Sequence, residues 1–211
     1  MKLLAYDSDL YPFAPAIQEC LEVSSLNFLH EDARANWDLF ERTSDQQTPF
    51  HKLYYNSFAA RIKPLWDKFV REVIAPQFEG DILYQTIPTF RVQIPNNVAV
   101  GEFHNDSKYG HQDGALNIFI PFVTVNEFNT IHVESAKGKE DFKPMLCQYG
   151  ELVIWDGVNL THGNLLNTSN ESRVSMDARV VPVKDFVESD RHSINMNTPL
   201  VEGGYYTRLV K

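Results

Sequence analysis

The chain is poor in cysteine: Cys20 and Cys147 are its only two among 211 residues. Their separation gives no zinc-type spacing, and two reduced, partly buried thiols are a better reading than a disulfide. No run of about 18 uncharged apolar residues occurs either, so no helical membrane span is expected. The N-terminus meets Asp7 and Asp9 before an apolar stretch develops, which argues against a signal peptide and makes a cytoplasmic location the default. Basic residues are in deficit, 19 Lys and Arg against 28 Asp and Glu, for a net charge of −9. Such a surface repels phosphate backbones, and no cluster of Lys or Arg interleaved with aromatics offsets it, so nucleic acid is not expected as a partner. Internal repeats and low-complexity tracts are absent too. Nothing resembles a Gly-x-Ser-x-Gly nucleophile element.

What is present is enough apolar material for a sizeable core, 43% of the chain with 14 Phe, 9 Tyr and 3 Trp. The pattern changes near Gly80. Before it, Ala14 to Leu29 carries Ile17, Leu21, Leu26 and Leu29 near helical spacing, behind Pro12 and Pro15. A short amphipathic turn is expected over 34–41, around Trp37 and Phe40. From Phe58 to Phe78 a broad apolar stripe predicts a helix, with Pro64 in its first turn or interrupting it. After Gly80, short runs rich in β-branched and aromatic residues alternate with Pro, Gly, Asn and Asp: 90–94, 98–104, 115–123, 130–135, 151–155 and 173–181. Six strands without intervening helices predict an antiparallel sandwich or barrel rather than a βαβ fold. One domain over 1–211 is expected, helical to about residue 80 and a β-sandwich from about 81.

Candidate metal ligands come in His-x-acid pairs, which share one face of an extended chain and can reach one ion together. Three His-x-Asp pairs occur, His30/Asp32, His104/Asp106 and His111/Asp113, and His132/Glu134 has the same spacing. His30 and Asp32 follow a predicted helix, where their side chains would diverge, so they read as surface residues. His104 and Asp106 follow the strand-like 98–104, a more rigid platform than the Gly-flanked loop around His111 and Asp113. With a distant third His, two imidazoles and one carboxylate leave coordination positions open, the ligand set expected of ferrous iron.

The segment GEFHNDSKYGH (Gly101 to His111) resembles the first metal motif of 2-oxoglutarate-dependent iron(II) oxygenases. ELVIWDGVNLTHGNLLNTSNESRVSMDARV (Glu151 to Val180) resembles the second, a strand ending in a His-Gly pair with an Arg eleven residues on. The chain is most similar to the phytanoyl-CoA-hydroxylase-like branch, among small oxygenases of the streptomycin-biosynthesis type. LNIFIPFVTVNEFNTIHVES and the C-terminal GGYY share the likeness, which spans roughly residues 81 to 206. It implies a mainly β fold, a double-stranded β-helix (jelly-roll, cupin-like) core with N-terminal supporting helices. It also implies Fe(II) held by His104, Asp106 and His162, 2-oxoglutarate as co-substrate with O2, and Arg173 gripping the far carboxylate. A planar guanidinium suits that grip. Arg179 is the rival anchor: it lies on the same strand face but roughly 20 Å further along if the strand is straight. Its other roles are a pair with Asp177, or a contact to substrate or to the residues around the metal.

Around this set, Arg91 and Gln93 share a strand face and are expected to line the cavity and help hold 2-oxoglutarate or substrate. Asn117 interrupts an apolar run and needs a partner, co-substrate or backbone. Tyr109 and His111 follow the first motif closely enough to meet substrate. Trp155 and Phe119 read as core, and Tyr84 and Tyr206 as packing residues with hydroxyls at the rim. The activity implied is hydroxylation of a small molecule, polar or anionic, with Lys137, Lys139 and Lys143 on one loop. Monomer and homodimer both stay open. Two other readings remain: a cupin-like metal-dependent isomerase, lyase or hydrolase that uses no 2-oxoglutarate, kept open by His111, His132 and Glu134, and a non-catalytic β-sandwich.

Overall fold

The structure, a computed structural model, describes residues 1–35, 47–99, 102–194 and 197–211. The turn expected around Trp37 and Phe40 lies outside the described residues. Helix α1 (Phe13–Leu21) buries Phe13, Ile17, Cys20 and Leu21, and it is shorter than the sequence pattern predicts. Glu22 takes a left-handed conformation (φ 57°), and its N–H reaches back to the carbonyls of Gln18 and Glu19. That closes the helix before the Ser24-Ser25 pair, while Leu26 and Leu29 still enter the core from the following turn.

The second helical run starts earlier than predicted. Thr48 caps it by accepting the His51 N–H, and Pro49 supplies its first residue. It continues as α2 (Pro49–Ser57), a π turn (Phe58–Ile62), α3 (Lys63–Phe69), a second π turn (Val70–Ile74) and a closing 3-10 turn (Ala75–Gln77). The reason is visible in the spacing. Phe50, Tyr54, Phe58, Ile62, Trp66, Val70 and Ile74 are all buried, each four residues after the last. In a regular α-helix that spacing drifts by about 40° per step, about 240° over the run, and would carry the last residues into solvent. Each π turn adds one residue and takes back about 100°, so the stripe stays on one face. Pro64 interrupts the run rather than starting it. Its missing N–H and its ring displace the carbonyl four residues back, inside the first π turn.

This helical layer packs on a seven-stranded antiparallel sheet. Its strands are β1 (Lys2–Ala5), β2 (Ile82–Gln85), β3 (Thr89–Gln93), β4 (Leu116–Pro121), β7 (Glu151–Trp155), β9 (Arg173–Pro182) and β10 (Tyr206–Leu209), in order β1-β7-β4-β9-β2-β10, with β3 also on β9. Phe69 sits at the seam, its ring about 5 Å from those of Tyr6, Tyr11 and Phe13, all edge-on. Three short strands, β5 (Ile131–Val133), β6 (Lys143–Pro144) and β8 (His162–Asn164), form a second sheet in order β6-β5-β8. Two antiparallel sheets with helices against the larger one make the double-stranded β-helix arrangement.

Strand β9 organises the site. Val174, Met176, Ala178 and Val180 turn into the core, while Arg173, Asp177 and Arg179, of opposite parity, line a cavity. Strand β4 pairs along one edge of β9, with Asn117 opposite Arg179. On the other edge β3 and β2 pair end to end. Both cysteines are buried free thiols. No helix among the described residues is long and apolar enough to cross a membrane.

Candidate metal centre

The cavity, about 270 Å³, takes its walls from both sheets. Arg91, Asn117, Trp155 and the β9 side chains come from the larger sheet, and Ile131, His162 and Asn164 from the smaller. His104, Asp106, Tyr109 and His111 enter from the loop before β4, and Ser193 and Tyr205 from the C-terminal stretch.

His104 and Asp106 are not carried by a strand, as the sequence suggests. Val100 and Gly101 lie outside the described residues, and Glu102 and Phe103 belong to no element. What fixes His104 is a two-way backbone bridge to His162, its N–H on the His162 carbonyl at 2.9 Å and the reverse bond at 2.8 Å. Asp106 then opens a short 3-10 turn (Asp106–Tyr109), with its N–H on the Gly157 carbonyl. Two residues 58 positions apart in sequence are thus bonded directly, and Asp106 turns in beside both.

The donor atoms of His104, Asp106 and His162 all lie within 4.8 Å of one another, the one such His, Cys, Asp or Glu group among the described residues. His104 Nε2 stands 3.5 Å from Asp106 Oδ1 and His162 Nε2 stands 3.7 Å from it. Three ligands on one octahedral face, each about 2.1 Å from an ion, would be about 3 Å apart, so the set fits a first-row divalent metal with small adjustment. The ring orientations fit as well. His104 Nδ1 donates to the Glu102 carbonyl at 2.5 Å and His162 Nδ1 to the Leu160 carbonyl at 2.9 Å. A carbonyl only accepts, so the proton stays on Nδ1 and each Nε2 lone pair faces Asp106.

Asp106 is almost fully buried. Burial opposes its charge, but the Arg179 guanidinium and the Asn117 amide outweigh it and hold the carboxyl well below its usual range. Asn117 Nδ2 donates to Asp106 Oδ2 at 2.7 Å, so the amide nitrogen is held by a triad carboxylate rather than by backbone. Arg179 donates to the same oxygen from Nη2 at 2.6 Å and from Nε at 3.2 Å. Its third nitrogen, Nη1, donates to the Tyr205 hydroxyl at 2.9 Å. Asp177 pairs instead with Arg91, whose Nε is 3.0 Å away.

The remaining candidates separate by what they touch. Arg173 is buried on the cavity wall and donates from Nη1 to Asn164 Oδ1 at 3.0 Å. Gln93 does not reach the cavity: its amide nitrogen donates to the carbonyls of Asn97 and Leu165. Tyr109 lies at the mouth, its ring 4.9 Å from that of His104. His111 lines the wall, and burial, reinforced by Arg179, lowers its pKa to about 3, so it is neutral.

The acids of the rival pairs are engaged elsewhere. Asp113 accepts from Asn159 Nδ2 at 2.8 Å. Pleat parity turns His132 and Glu134 away from the cavity that Ile131 faces, and the Glu134 carboxylate accepts the N–H groups of Thr161 and Glu140. His30 Nδ1 meets the Ser172 hydroxyl, and Asp32 binds Arg34. Trp155 is more than core, since it lines the cavity with its ring edge-on to His162 at 4.6 Å. Tyr205, Asn164 and Asp177 are among the cavity residues that the sequence reading did not place there, as are Thr89, Ile131 and Ser193. Asn164 lies two residues after His162, on the same strand face, and Asp177 four after Arg173, so strand parity could have found both. Nothing in the sequence singles out Tyr205 from its neighbour.

No family model matches the chain. The streptomycin biosynthesis protein StrG of Streptomyces griseus is 32% identical over 203 residues, covering 96% of each chain. Among solved structures, the non-haem alpha-ketoglutarate-dependent carbocyclase SnoK from nogalamycin biosynthesis superposes with a TM-score of 0.54 at 13% identity, covering 98% of this chain and 90% of its own. CytC3 with Fe(II) and alpha-ketoglutarate does so at 0.51 and 15%, covering 87% and 73%. EctD from S. alaskensis gives 0.51 and 16%, covering 89% and 74%. At such identities these structures establish the fold. The 32% identity over 96% of both chains shows that the chain belongs to the family of StrG, and its fold, which carries the two-His, one-carboxylate triad, is the one these non-haem iron proteins share.

Proposed function

We propose that the protein is a dioxygenase that couples oxidative decarboxylation of 2-oxoglutarate to hydroxylation of a small polar molecule. The observation that carries this reading is the convergence of His104 Nε2, Asp106 Oδ1 and His162 Nε2, with both opposite ring nitrogens tied to backbone carbonyls. These three would hold Fe(II). Iron(II) with 2-oxoglutarate supplies the oxidising power: O2 is consumed, the keto acid leaves as succinate and carbon dioxide, and one oxygen atom enters a C–H bond of the substrate.

The chain's own residues bind and orient. Arg173 presents a buried guanidinium from β9 and is assigned the far carboxylate of 2-oxoglutarate, with Asn164 fixing its plane. Arg91 and Arg179, the other arginines on the wall, already grip Asp177 and Asp106. Trp155 and Ile131 present apolar surface beside the triad and exclude water from it. Neutral His111 and Tyr109 offer hydrogen bonds toward the mouth. A cavity of this size suits a small molecule. The relative's name ties it to antibiotic biosynthesis, which supports a polar secondary metabolite as substrate.

An anaerobic crystal structure with Fe(II) and 2-oxoglutarate tests this reading. Metal density is expected between His104, Asp106 and His162, with the distal carboxylate within hydrogen-bond reach of Arg173. Metal held by His111 and Asp113, or by His132 and Glu134, would overturn it.

A further inference from the structure

We propose that Arg179 is a positioning residue that confines Asp106 to single-oxygen ligation, and that Tyr205 holds Arg179 in place from the C-terminal turn. The inference rests on the iron reading above and gives Arg179 a different task from Arg173, on the same strand face.

The geometry is specific. Three N–H donors converge on Asp106 Oδ2: Arg179 Nη2, Arg179 Nε and Asn117 Nδ2. Three donors already exceed the two lone pairs of that oxygen, so Oδ2 has nothing left for a metal. Oδ1 is the oxygen facing both imidazoles. A carboxylate free to swing could offer both oxygens and occupy a coordination position that co-substrate or O2 needs. Loading Oδ2 from one side prevents the swing. The Arg179 fork is well placed to do so, because β9 and β4 set it directly opposite Asn117 and its side chain is only 13% exposed.

Tyr205 completes the arrangement. Its hydroxyl accepts from Arg179 Nη1, the guanidinium nitrogen that does not touch Asp106. The turn that delivers it has no room for a side chain at Gly204, where a Cβ would lie 2.7 Å from the Pro199 carbonyl oxygen. The Gly-Gly-Tyr-Tyr segment thereby links the chain's C-terminal turn to a metal ligand through one arginine.

The test separates metal binding from co-substrate binding. Co(II) is titrated anaerobically into wild type, Arg179→Met, Arg179→Lys, Tyr205→Phe and Arg173→Met, with the visible Co(II) spectrum recorded, and 2-oxoglutarate is then titrated into each metal-saturated protein. Arg179→Met is expected to weaken Co(II) binding about tenfold or more and to change the spectrum, while the metal-saturated protein keeps 2-oxoglutarate affinity within about threefold. Arg179→Lys is expected to recover part of the loss and Tyr205→Phe to show a smaller change in the same direction. Arg173→Met should show the reverse pattern, normal metal binding with 2-oxoglutarate binding lost. Wild-type metal binding and spectrum in Arg179→Met, or loss of 2-oxoglutarate alone, would overturn the inference and leave the iron reading standing. Co(II) binding unaffected by His104→Ala and His162→Ala would overturn the iron reading itself, and the inference with it. Tyr205→Phe removes only a hydroxyl, so if Arg179→Met does not fold, an unchanged Co(II) spectrum in Tyr205→Phe is enough to reject the proposal.

Discussion

Gly157 lies so close to Asn117 that a Cβ built on the glycine would stand 2.5 Å from Asn117 Nδ2. That same nitrogen donates to Asp106 Oδ2, and the Gly157 carbonyl accepts the Asp106 N–H. Gly157→Ala is therefore expected to push the Asn117 amide off Asp106. Overpacking of this kind costs about 1–3 kcal/mol, read as a lower denaturation midpoint, together with weaker metal binding. Asn117→Ala loses the same bond without introducing the clash, so it should match Gly157→Ala in metal binding. Wild-type metal affinity in Gly157→Ala would show that the contact is not transmitted to the ligand.

The role proposed for Arg173, gripping the far carboxylate of 2-oxoglutarate, calls for a planar fork that lysine cannot reproduce. Arg173→Lys is expected to raise KM for 2-oxoglutarate by about ten- to a hundredfold, the size of one charge-assisted hydrogen bond lost, with a smaller effect on kcat. Steady-state succinate formation against 2-oxoglutarate concentration checks this. A change in kcat alone would place the anchor elsewhere.

Glu134 holds the residue before His162 of the triad: its carboxylate accepts the Thr161 N–H at 2.6 Å, and the Glu140 N–H at 3.1 Å. These backbone donors, Thr161 first, lower its pKa from 4.5 to about 2. The folded state therefore favours the ionised carboxylate. Its stabilisation is complete above about pH 4.5 and disappears as pH falls toward about 2. Glu134→Gln should melt below wild type at pH 7, and the gap should close as pH falls across that window. Melting curves from pH 7 to 2 measure it, and a gap constant with pH would contradict the assignment.

The helical layer is tied to the sheet through Phe69, fully buried against Tyr6, Tyr11, Phe13 and Trp66. Phe69→Ala is expected to cost about 3–5 kcal/mol, measured by urea unfolding. A loss under 1 kcal/mol would mean that the layer is not part of the cooperative core.

Much of this was legible in the chain because burial writes a period into sequence. The alternation over 173–181 and the apolar stripe after Phe58 both report one-sided packing, while His104, Asp106, His162 and Arg173 were brought together by the resemblance of two motifs to those of 2-oxoglutarate-dependent iron(II) oxygenases, since four His-x-acid pairs share the same spacing. What stayed hidden depends on partners distant in sequence. The start of the long helix at Pro49 rests on the Thr48 cap, and β1 forms only because β7 accepts it. The platform of His104 is the bridge to His162 rather than the strand that its own sequence suggests. Gln93 illustrates the limit of face arguments: parity puts it beside Arg91, yet the loops at Asn97 and Leu165 claim its amide. Arg179 could be placed on the right face, but only the fold shows that Asp106 rather than Asp177 is its partner.

The central claim is that the triad serves an oxygen- and 2-oxoglutarate-dependent reaction. The most direct measurement is conversion of 2-oxoglutarate to succinate by the purified protein with Fe(II), run with and without O2, beside His162→Ala. The account predicts succinate only when Fe(II) and O2 are both present, falling to background in His162→Ala. Succinate formed equally without O2, or at an unchanged rate by His162→Ala, would contradict it.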